Sequence, residues 1–248
     1  MIKIQRIPAP IELTADVVAK KTALYKLDHT KSVWNEPYIK ERLLEMSHGK
    51  CCYCECKLGE ESKYMEVEHF HGKSNYPDEV VNWNNLLPSC RTCNAAKSDH
   101  DTVTTPIVDP SIDDPYIHLG FRDFRYRAKT DMGKETIVLL NLNDYQKHCL
   151  PRFEICQFLE RIMEDLLDDV KRISSTSKTR EKNRVRNNVI ELLQECQCNQ
   201  SYTAIKVTTM LNNPDYPALV TEMKTRNIWT DEMEELDNSM RKYRLDEV

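Results

Sequence analysis

Residues 51–54 read Cys-Cys-Tyr-Cys and residues 90–93 read Cys-Arg-Thr-Cys, so a Cys-x-x-Cys spacing occurs twice in the first half of the chain. Each such pair can place two thiolates on one side of a tetrahedral zinc ion, about 2.3 Å from the metal. Four thiolates close a site and leave no position for a substrate, so the zinc would be structural. Cys52 and Cys56 are alternative ligands in the first pair. The preferred prediction is a zinc ion bound by Cys51, Cys54, Cys90 and Cys93.

The composition is that of a folded, water-soluble protein. Of 248 residues, 40% are hydrophobic and 30% are charged, which argues against disorder and against a fibrous structure. The sequence has no run of about 18 apolar residues, and residues 2–21 mix apolar with charged side chains where a signal peptide would be apolar. We therefore expect a cytoplasmic protein without a membrane segment. In that reducing compartment, clustered cysteines indicate metal binding rather than disulfides.

The charge balance restricts how the chain can bind polyanions. Its formal net charge is −5, so the field of the whole molecule repels nucleic acid, and binding requires local basic clusters, a metal ion or a partner protein. One candidate cluster is residues 121–129, where strand alternation would place Arg125 and Arg127 on one face and aromatic side chains on the other. A second candidate is the basic run over residues 178–186.

The segment between the cysteine pairs carries the remaining motifs. Residues 65–74 read Met-Glu-Val-Glu-His-Phe-His-Gly-Lys-Ser, and residues 82–89 read Asn-Trp-Asn-Asn-Leu-Leu-Pro-Ser. The second cysteine pair then continues through residues 90–98 as Cys-Arg-Thr-Cys-Asn-Ala-Ala-Lys-Ser. An acid-His pair that ends a strand, an Asn-Leu in the next loop and a helix that opens with Cys-x-x-Cys-Asn-x-x-Lys resemble the HNH endonucleases. The resemblance covers about residues 51–99.

That resemblance implies a zinc-stabilised ββα-metal nuclease domain with defined roles. His69 would be the general base that deprotonates the attacking water, and Glu68 and Asn94 would hold one divalent cation. Asn85 would orient the loop that carries His69, and it is preferred over Asn82 and Asn84 because a leucine follows it. Imidazole titrates near neutral pH, and oxygen ligands suit Mg²⁺ or Mn²⁺. Candidate nucleic-acid contacts beside this site are Lys73, Arg91 and Lys97.

Two features of the resemblance depart from the usual pattern. Glu68 stands where Asp or His is commoner in the family, and Asn94 stands where the second His of the motif is usual. These departures affect the affinity and the preference for the catalytic metal ion.

The second half of the chain is predicted to be helical, because residues 153–212 contain neither Gly nor Pro. Apolar residues at spacings of three and four indicate an amphipathic helix over residues 155–173. A polar break precedes a second helix over residues 179–196, Pro214 and Pro217 mark a third break, and residues 231–248 form a last helix. Before this half, residues 121–129 and 135–140 are predicted to pair as a hairpin around a turn at residues 131–134.

A narrower resemblance rests on shorter pieces of sequence. The opening Met-Ile-Lys-Ile-Gln-Arg, the Glu-His-Phe at residues 68–70 and the Leu-Asn-Leu-Asn at residues 140–143 together resemble the PtuB family. PtuB proteins are HNH effectors of Septu anti-phage systems and of a class of retrons. The resemblance implies a toxic effector nuclease that acts with PtuA, an ATPase of the ABC or SMC type. In retrons a reverse transcriptase with its RNA-linked DNA would be a further partner.

These inferences predict an α+β protein of three parts. Residues 1–50 are an N-terminal arm and helical lead-in, residues 51–141 are the nuclease domain with its zinc site and hairpin, and residues 142–248 are a helical partner-docking domain. The expected substrate is DNA or RNA, and the motifs do not distinguish between the two. Two alternatives keep the same cysteines: a non-catalytic zinc-knuckle module that binds nucleic acid or protein, and a structural subunit of the ATPase complex with an inactive nuclease site.

Overall fold

The computed structural model describes residues 1–60 and 64–248, and these residues divide into two compact units. Unit 1 comprises Met1–Leu119 and Arg127–Asn143, and unit 2 comprises Gly120–Tyr126 and Asp144–Val248. The architecture is α+β, about half helical with small two-stranded sheets, which confirms the predicted class at this level. No helix within the described ranges combines the length and the apolar character that a membrane span requires.

Unit 1 contains one complete two-stranded sheet and several short helices. Its elements are α1 (Ala15–Leu27), α2 (Pro37–Ser47), β1 (Met65–His69), β2 (Leu86–Cys90), α3 (Arg91–Lys97), α4 (Pro115–His118) and α5 (Asp131–Leu139). A second small sheet consists of β3 (Leu119–Arg122) and β4 (Arg125–Ala128). The chain passes from one unit to the other within these two strands.

Strands β1 and β2 form an antiparallel pair that leads directly into α3. Met65 lies opposite Cys90 and His69 lies opposite Leu86. Every residue of β2 is buried, because its leucines pack into the core of unit 1 while its last residue starts a helix. The Cys90 sulfur accepts a hydrogen bond from the backbone N–H of Cys93 at 3.5 Å, as a helix N-cap does. The segment from Met65 to Lys97 therefore consists of a strand, a loop, a second strand and a helix, and the helix begins directly after the second strand.

The predicted hairpin between residues 121–129 and 135–140 is wrong. The observed turn joins β3 to β4 at Asp123 and Phe124, which have φ values of 52° and 62°, and residues 131–139 are helical. The Thr130 hydroxyl caps this helix by accepting a hydrogen bond from the N–H of Gly133 at 3.1 Å. A Cβ at Gly133 would overlap the carbonyl oxygen of His118. The glycine therefore serves close packing of a helix and not a turn.

Unit 2 has five α-helices within the described residues: α6 (Leu150–Arg172), α7 (Thr179–Gln194), α8 (Thr203–Asn212), α9 (Asp215–Thr225) and α10 (Asp231–Arg241). A short π-helix, Tyr145–Cys149, precedes α6. The two predicted helices that begin near Ile155 and Thr179 are confirmed, and their apolar faces meet in one core with Met210, Met223 and Met240. The predicted break at Pro214 and Pro217 is only partly correct. Pro217 lies in the first turn of α9, where a helix requires no backbone N–H. The last helix ends at Arg241, before the predicted residue 248.

Candidate functional site

The two cysteine pairs converge in unit 1. The sulfur atoms of Cys51, Cys54, Cys90 and Cys93 all lie within 4.8 Å of one another, and all four residues are buried. A tight loop positions the first pair, because the N–H of Cys51 donates to the carbonyl oxygen of Cys56 at 2.9 Å. The N–H of Cys52 donates to the carbonyl oxygen of Pro88 at 2.8 Å and joins this loop to β2. Four buried sulfurs in this arrangement fit a tetrahedral zinc ion.

The alternative ligands of the first pair lie close to this cluster. Cys52 and Cys56 are both buried, and the Cys56 thiol is near enough to those of Cys51, Cys54 and Cys90 to hydrogen-bond with them. The set of four mutually close sulfurs nevertheless contains neither residue. The four residues of this set are the predicted ligands and could hold a zinc ion, and the assignment of the ligands among these cysteines stays a prediction.

A cavity of about 530 Å³ lies beside the zinc cluster. The lining residues from the acid-His segment include Glu66, Glu68 and His69, and Asn94 lines the cavity from α3. Glu66 and Glu68 are two positions apart on β1, so both point to the same side of the strand. Three cationic side chains share the wall of this cavity: Lys40, Lys73 and Arg91. An acidic centre with a cationic margin is suited to a metal ion and a phosphate.

The imidazole of His69 is held in one orientation. Its Nε2 lies 2.9 Å from the carbonyl oxygen of Val80, and because a carbonyl only accepts, Nε2 must carry the proton. In the neutral ring Nδ1 is then the atom that can accept a proton. The ring of Trp34 stands nearly perpendicular to the imidazole, with the centroids 4.8 Å apart. Burial lowers the pKa of His69 to about 4, so the imidazole is neutral at physiological pH.

Glu68 makes a buried ion pair. Its Oε1 lies 2.8 Å from the Nζ of Lys97, and the two side chains are 2% and 1% exposed. Burial raises the pKa of Glu68 to about 7, although the charge of Lys97 opposes this rise. The Nζ of Lys97 also donates to the carbonyl oxygen of His69 at 2.8 Å. Lys97 therefore holds the end of β1, and its burial corrects the sequence-based expectation that it contacts a phosphate.

Asn94 pairs with an acid that the sequence reasoning missed. Its Nδ2 donates to Oε2 of Glu66 at 2.6 Å, so its side-chain carbonyl is the atom that could ligate a cation. The sequence did contain a signal for Glu66, because residues 66 and 68 are two positions apart on a strand and therefore share one face. Trp34 was also missed, because it lies in the loop before α2, outside the motif that carried the resemblance.

Asn85 joins the two ends of the loop that follows β1. Its Oδ1 accepts from the N–H of His71 at 2.7 Å, and its Nδ2 donates to the carbonyl oxygens of His71 and Glu79 at 3.0 and 3.3 Å. Its own carbonyl oxygen accepts from the N–H of Phe70 at 2.9 Å. Asn82 instead caps the N–H of Asn84 at 3.2 Å. The predicted loop-holding contacts are thus made by Asn85.

We expect Asn85→Ala to lower the free energy of unfolding of unit 1 by about 1–3 kcal/mol, because partly buried backbone groups of His71 and Glu79 lose their partners. Asn84→Ala is the matched control, since Asn84 is exposed and its change should cost less than about 0.5 kcal/mol. Chemical denaturation followed by circular dichroism measures both. Equal stability of the two variants would contradict the role of Asn85.

The remaining basic candidates fall into two groups, one that lines the cavity and one that does not. Lys73 and Arg91 line the cavity, and the Nζ of Lys73 lies 5.1 Å from the centre of the Trp34 ring. Arg125 and Arg127 are on β4 with the buried Tyr126 between them, as alternation predicted. Neither arginine lines this cavity. Lys73 and Arg91 are therefore the basic candidates that share a cavity with His69.

Comparison with known proteins gives two relatives of the same name. No protein-family profile matches the chain. It is similar to the Septu protein PtuB of Bacillus thuringiensis, with 40% identity over 238 residues that cover 95% of this chain and 92% of that protein. It is also similar to the Septu protein PtuB of Bacillus mycoides (strain KBAB4), with 30% identity over 189 residues that cover 58% of this chain and 63% of that protein.

Proposed function

Because the chain belongs to the Septu PtuB family and is thus a component of an anti-phage defence system, we propose that it is a metal-dependent HNH endonuclease. It would hydrolyse phosphodiester bonds of DNA or RNA as the toxic effector of a defence complex. One observation carries the proposal. A neutral imidazole with its Nε2 fixed on the Val80 carbonyl lines the same cavity as Glu66, Glu68 and Asn94.

The strand-loop-strand-helix order supports a ββα-metal fold, with the cysteine cluster at the base of the helix. In such a site Nδ1 of His69 accepts the proton of the attacking water, and the bond to Val80 keeps that nitrogen unprotonated beforehand. Asn85 fixes the loop after β1 and so fixes the direction of the imidazole. Lys97 stabilises the start of the same loop, because its Nζ donates a hydrogen bond to the His69 carbonyl oxygen.

A divalent cation such as Mg²⁺ or Mn²⁺, when bound, would supply positive charge to the scissile phosphate and to the leaving oxygen. The oxygen donors available to hold it are the carboxylates of Glu66 and Glu68 and the side-chain carbonyl of Asn94. These hard oxygen donors fit such a cation. The cation also supplies an attraction for phosphate that a chain of net charge −5 lacks overall.

We expect cleavage to stop in excess EDTA and to return with Mg²⁺ or Mn²⁺. Asn94→Ala should raise the Mn²⁺ concentration for half-maximal cleavage by at least about tenfold, because one oxygen ligand is lost. Asn82→Ala is the matched control, since Asn82 is exposed and does not line the cavity. A thermal melt in EDTA shows whether unit 1 keeps its zinc and its fold. Undiminished cleavage in EDTA by a folded protein would reject the metal-dependent reaction.

The proposed partner is an ATPase of the PtuA kind, and residues 142–248 are proposed to dock it. Membership of the Septu family supports a second subunit. A reverse transcriptase with its RNA-linked DNA remains a prediction for systems of the retron type. Copurification from the native host, followed by sequencing of the cleaved nucleic acid, identifies both the partner and the substrate.

One observation favours a second function, a non-catalytic zinc-knuckle subunit of the same complex. The Glu68 carboxylate already has a buried partner in Lys97, so a cation must compete with an internal ion pair for it. Cleavage that depends on His69 decides between the two functions, because a binding subunit needs no base.

A further inference from the structure

Unit 2 has an apolar groove that its own helices do not fill. The groove has a volume of about 740 Å³ and runs between α6 and α7 to the start of α8. The apolar side chains of α6 that form its floor are Ile155, Phe158, Leu159, Ile162 and Leu166. Phe158 is 63% exposed, although a phenylalanine at the edge of a helical core would usually be covered.

The rim of the groove is acidic. Asp165, Asp169, Glu191 and Glu195 lie along it, against the single cation of Lys206. Lys206 is already paired with Glu195 at 2.6 Å, and Asp169 has Arg172 and Arg184 at 3.3 and 3.6 Å. Within the described part of the chain, no ion pair involves Asp165 or Glu191. These two carboxylates on opposite helices therefore leave an uncompensated negative charge on both sides of the apolar floor.

The dimensions of the floor suit a helix. Ile155, Phe158, Ile162 and Leu166 follow one another at spacings of three and four along α6. At 1.5 Å per residue this stripe is about 16 Å long, which matches about three turns of a second helix packed beside it. An occupant must bring an apolar face for the floor and positive charges for the two margins.

We propose that this groove binds an amphipathic helix of the ATPase subunit, with lysine or arginine residues on both sides of its apolar face. The inference rests on the proposed function for the existence of that partner, and it adds the binding surface and the chemistry of the bound segment. Phe158 is the central anchor, and Asp165 and Glu191 pair with the flanking cations. Charge complementarity thus selects the partner, while the aromatic contact supplies most of the affinity.

Other occupants match the groove less well. A second copy of the chain offers the basic run at residues 178–186, but the apolar side chains of that helix, such as Val185 and Val189, are buried in its own core. Nucleic acid carries phosphates that the acidic rim repels. A basic amphipathic helix from another protein provides both required features at once.

The test is copurification of the full chain, co-expressed with the ATPase of its own defence locus. Phe158→Asp and the double variant Asp165→Lys with Glu191→Lys should each lower the amount of ATPase recovered by at least about tenfold. Ile112→Asp is the matched control, because Ile112 is 67% exposed in unit 1 and should bind as the wild type does. All the changed side chains are exposed in the free chain, and thermal melts confirm that each variant is folded.

Hydrogen exchange gives an independent readout. Bound ATPase should slow exchange in residues 155–166 and 188–206 of the wild-type chain. Unchanged recovery of the ATPase with folded Phe158→Asp, or protection confined to other segments, overturns the groove assignment while leaving the proposed function intact. A concentration-dependent dimer that Phe158→Asp abolishes also overturns it, because the occupant is then a second copy. A wild-type chain that binds no ATPase refutes both this inference and the proposed partnership.

Discussion

Replacing Cys90 by Ser should remove zinc from the chain and unfold unit 1. Cys90 contributes one of the four clustered sulfurs, ends β2 and caps α3, so one change removes a ligand at the point where three elements meet. Structural zinc sites supply about 10–16 kcal/mol of folding free energy, while a whole domain is stable by about 5–15 kcal/mol. Metal analysis should give about one zinc per wild-type chain and none for Cys90→Ser. Circular dichroism should lose the cooperative transition of unit 1.

Cys56→Ser is the matched control for this change. Cys56 is buried in the same loop and lies near the cluster, but it does not belong to the set of four mutually close sulfurs. We expect this variant to keep its zinc and to lose only about 1–2 kcal/mol of stability. Loss of zinc from Cys56→Ser together with its retention in Cys54→Ser would show that the ligand set is wrong. A zinc-free wild-type chain with an unchanged melting curve would reject the structural zinc itself.

The sequence predicted the structure best where residues close together in the chain satisfy a single requirement, such as metal-ligand spacing or an apolar helix face. The cysteine spacing identified four residues that the fold brings together, and the apolar stripe from Ile155 identified α6. The turn at Asp131–Lys134 was misassigned because Asp and Gly also suit a helix start, and the cap at Thr130 decided between the two. A local sequence pattern cannot distinguish a turn from a helix start when both use the same residue types.

The contacts that shape the cavity depend on residues distant in sequence. Lys97 has the spacing of an exposed phosphate ligand, yet the fold places it under His69 and beside Glu68. Trp34 contacts the imidazole from a loop that the motif does not include. Pair contacts of this kind come from tertiary packing. A single sequence therefore names the reacting groups of such a site better than it names their neighbours.

Substituting His69 by Ala should lower cleavage by at least about a hundredfold, which is the usual contribution of a general base. Zinc content and the melting temperature of unit 2 should not change. Because the imidazole is 5% exposed and contacts Trp34, its truncation leaves a small cavity in unit 1. His69→Gln fills more of that space without restoring a base, and it should be as inactive. Single-turnover cleavage at saturating Mg²⁺ or Mn²⁺ measures both variants.

His71→Ala is the matched control, two residues further along the same loop. The Nδ1 of His71 pairs with Oε2 of Glu79 at 2.8 Å, and its backbone, not its ring, is held by Asn85. We expect this variant to cleave within about threefold of the wild type, because no proton of the reaction passes through its ring. Equal losses in His69→Ala and His71→Ala would indicate a damaged loop rather than a missing base.

The pH dependence separates a base from a merely structural histidine. Burial lowers the pKa of His69 to about 4, so the ring stays neutral as the pH falls from 8 to 6, where an ordinary histidine would begin to protonate. Cleavage limited by this base should therefore stay nearly constant over that range at saturating metal, and it should fall only as the pH approaches the lowered pKa. Burial raises the pKa of Glu68 to about 7, so a loss near pH 6.5 that added metal reverses reports protonation of that ligand. A loss centred near pH 6.5 that added metal does not reverse would mean that a solvent-exposed imidazole is the base. Full activity of folded His69→Ala, with the ATPase still bound, would leave the non-catalytic subunit as the function of this chain.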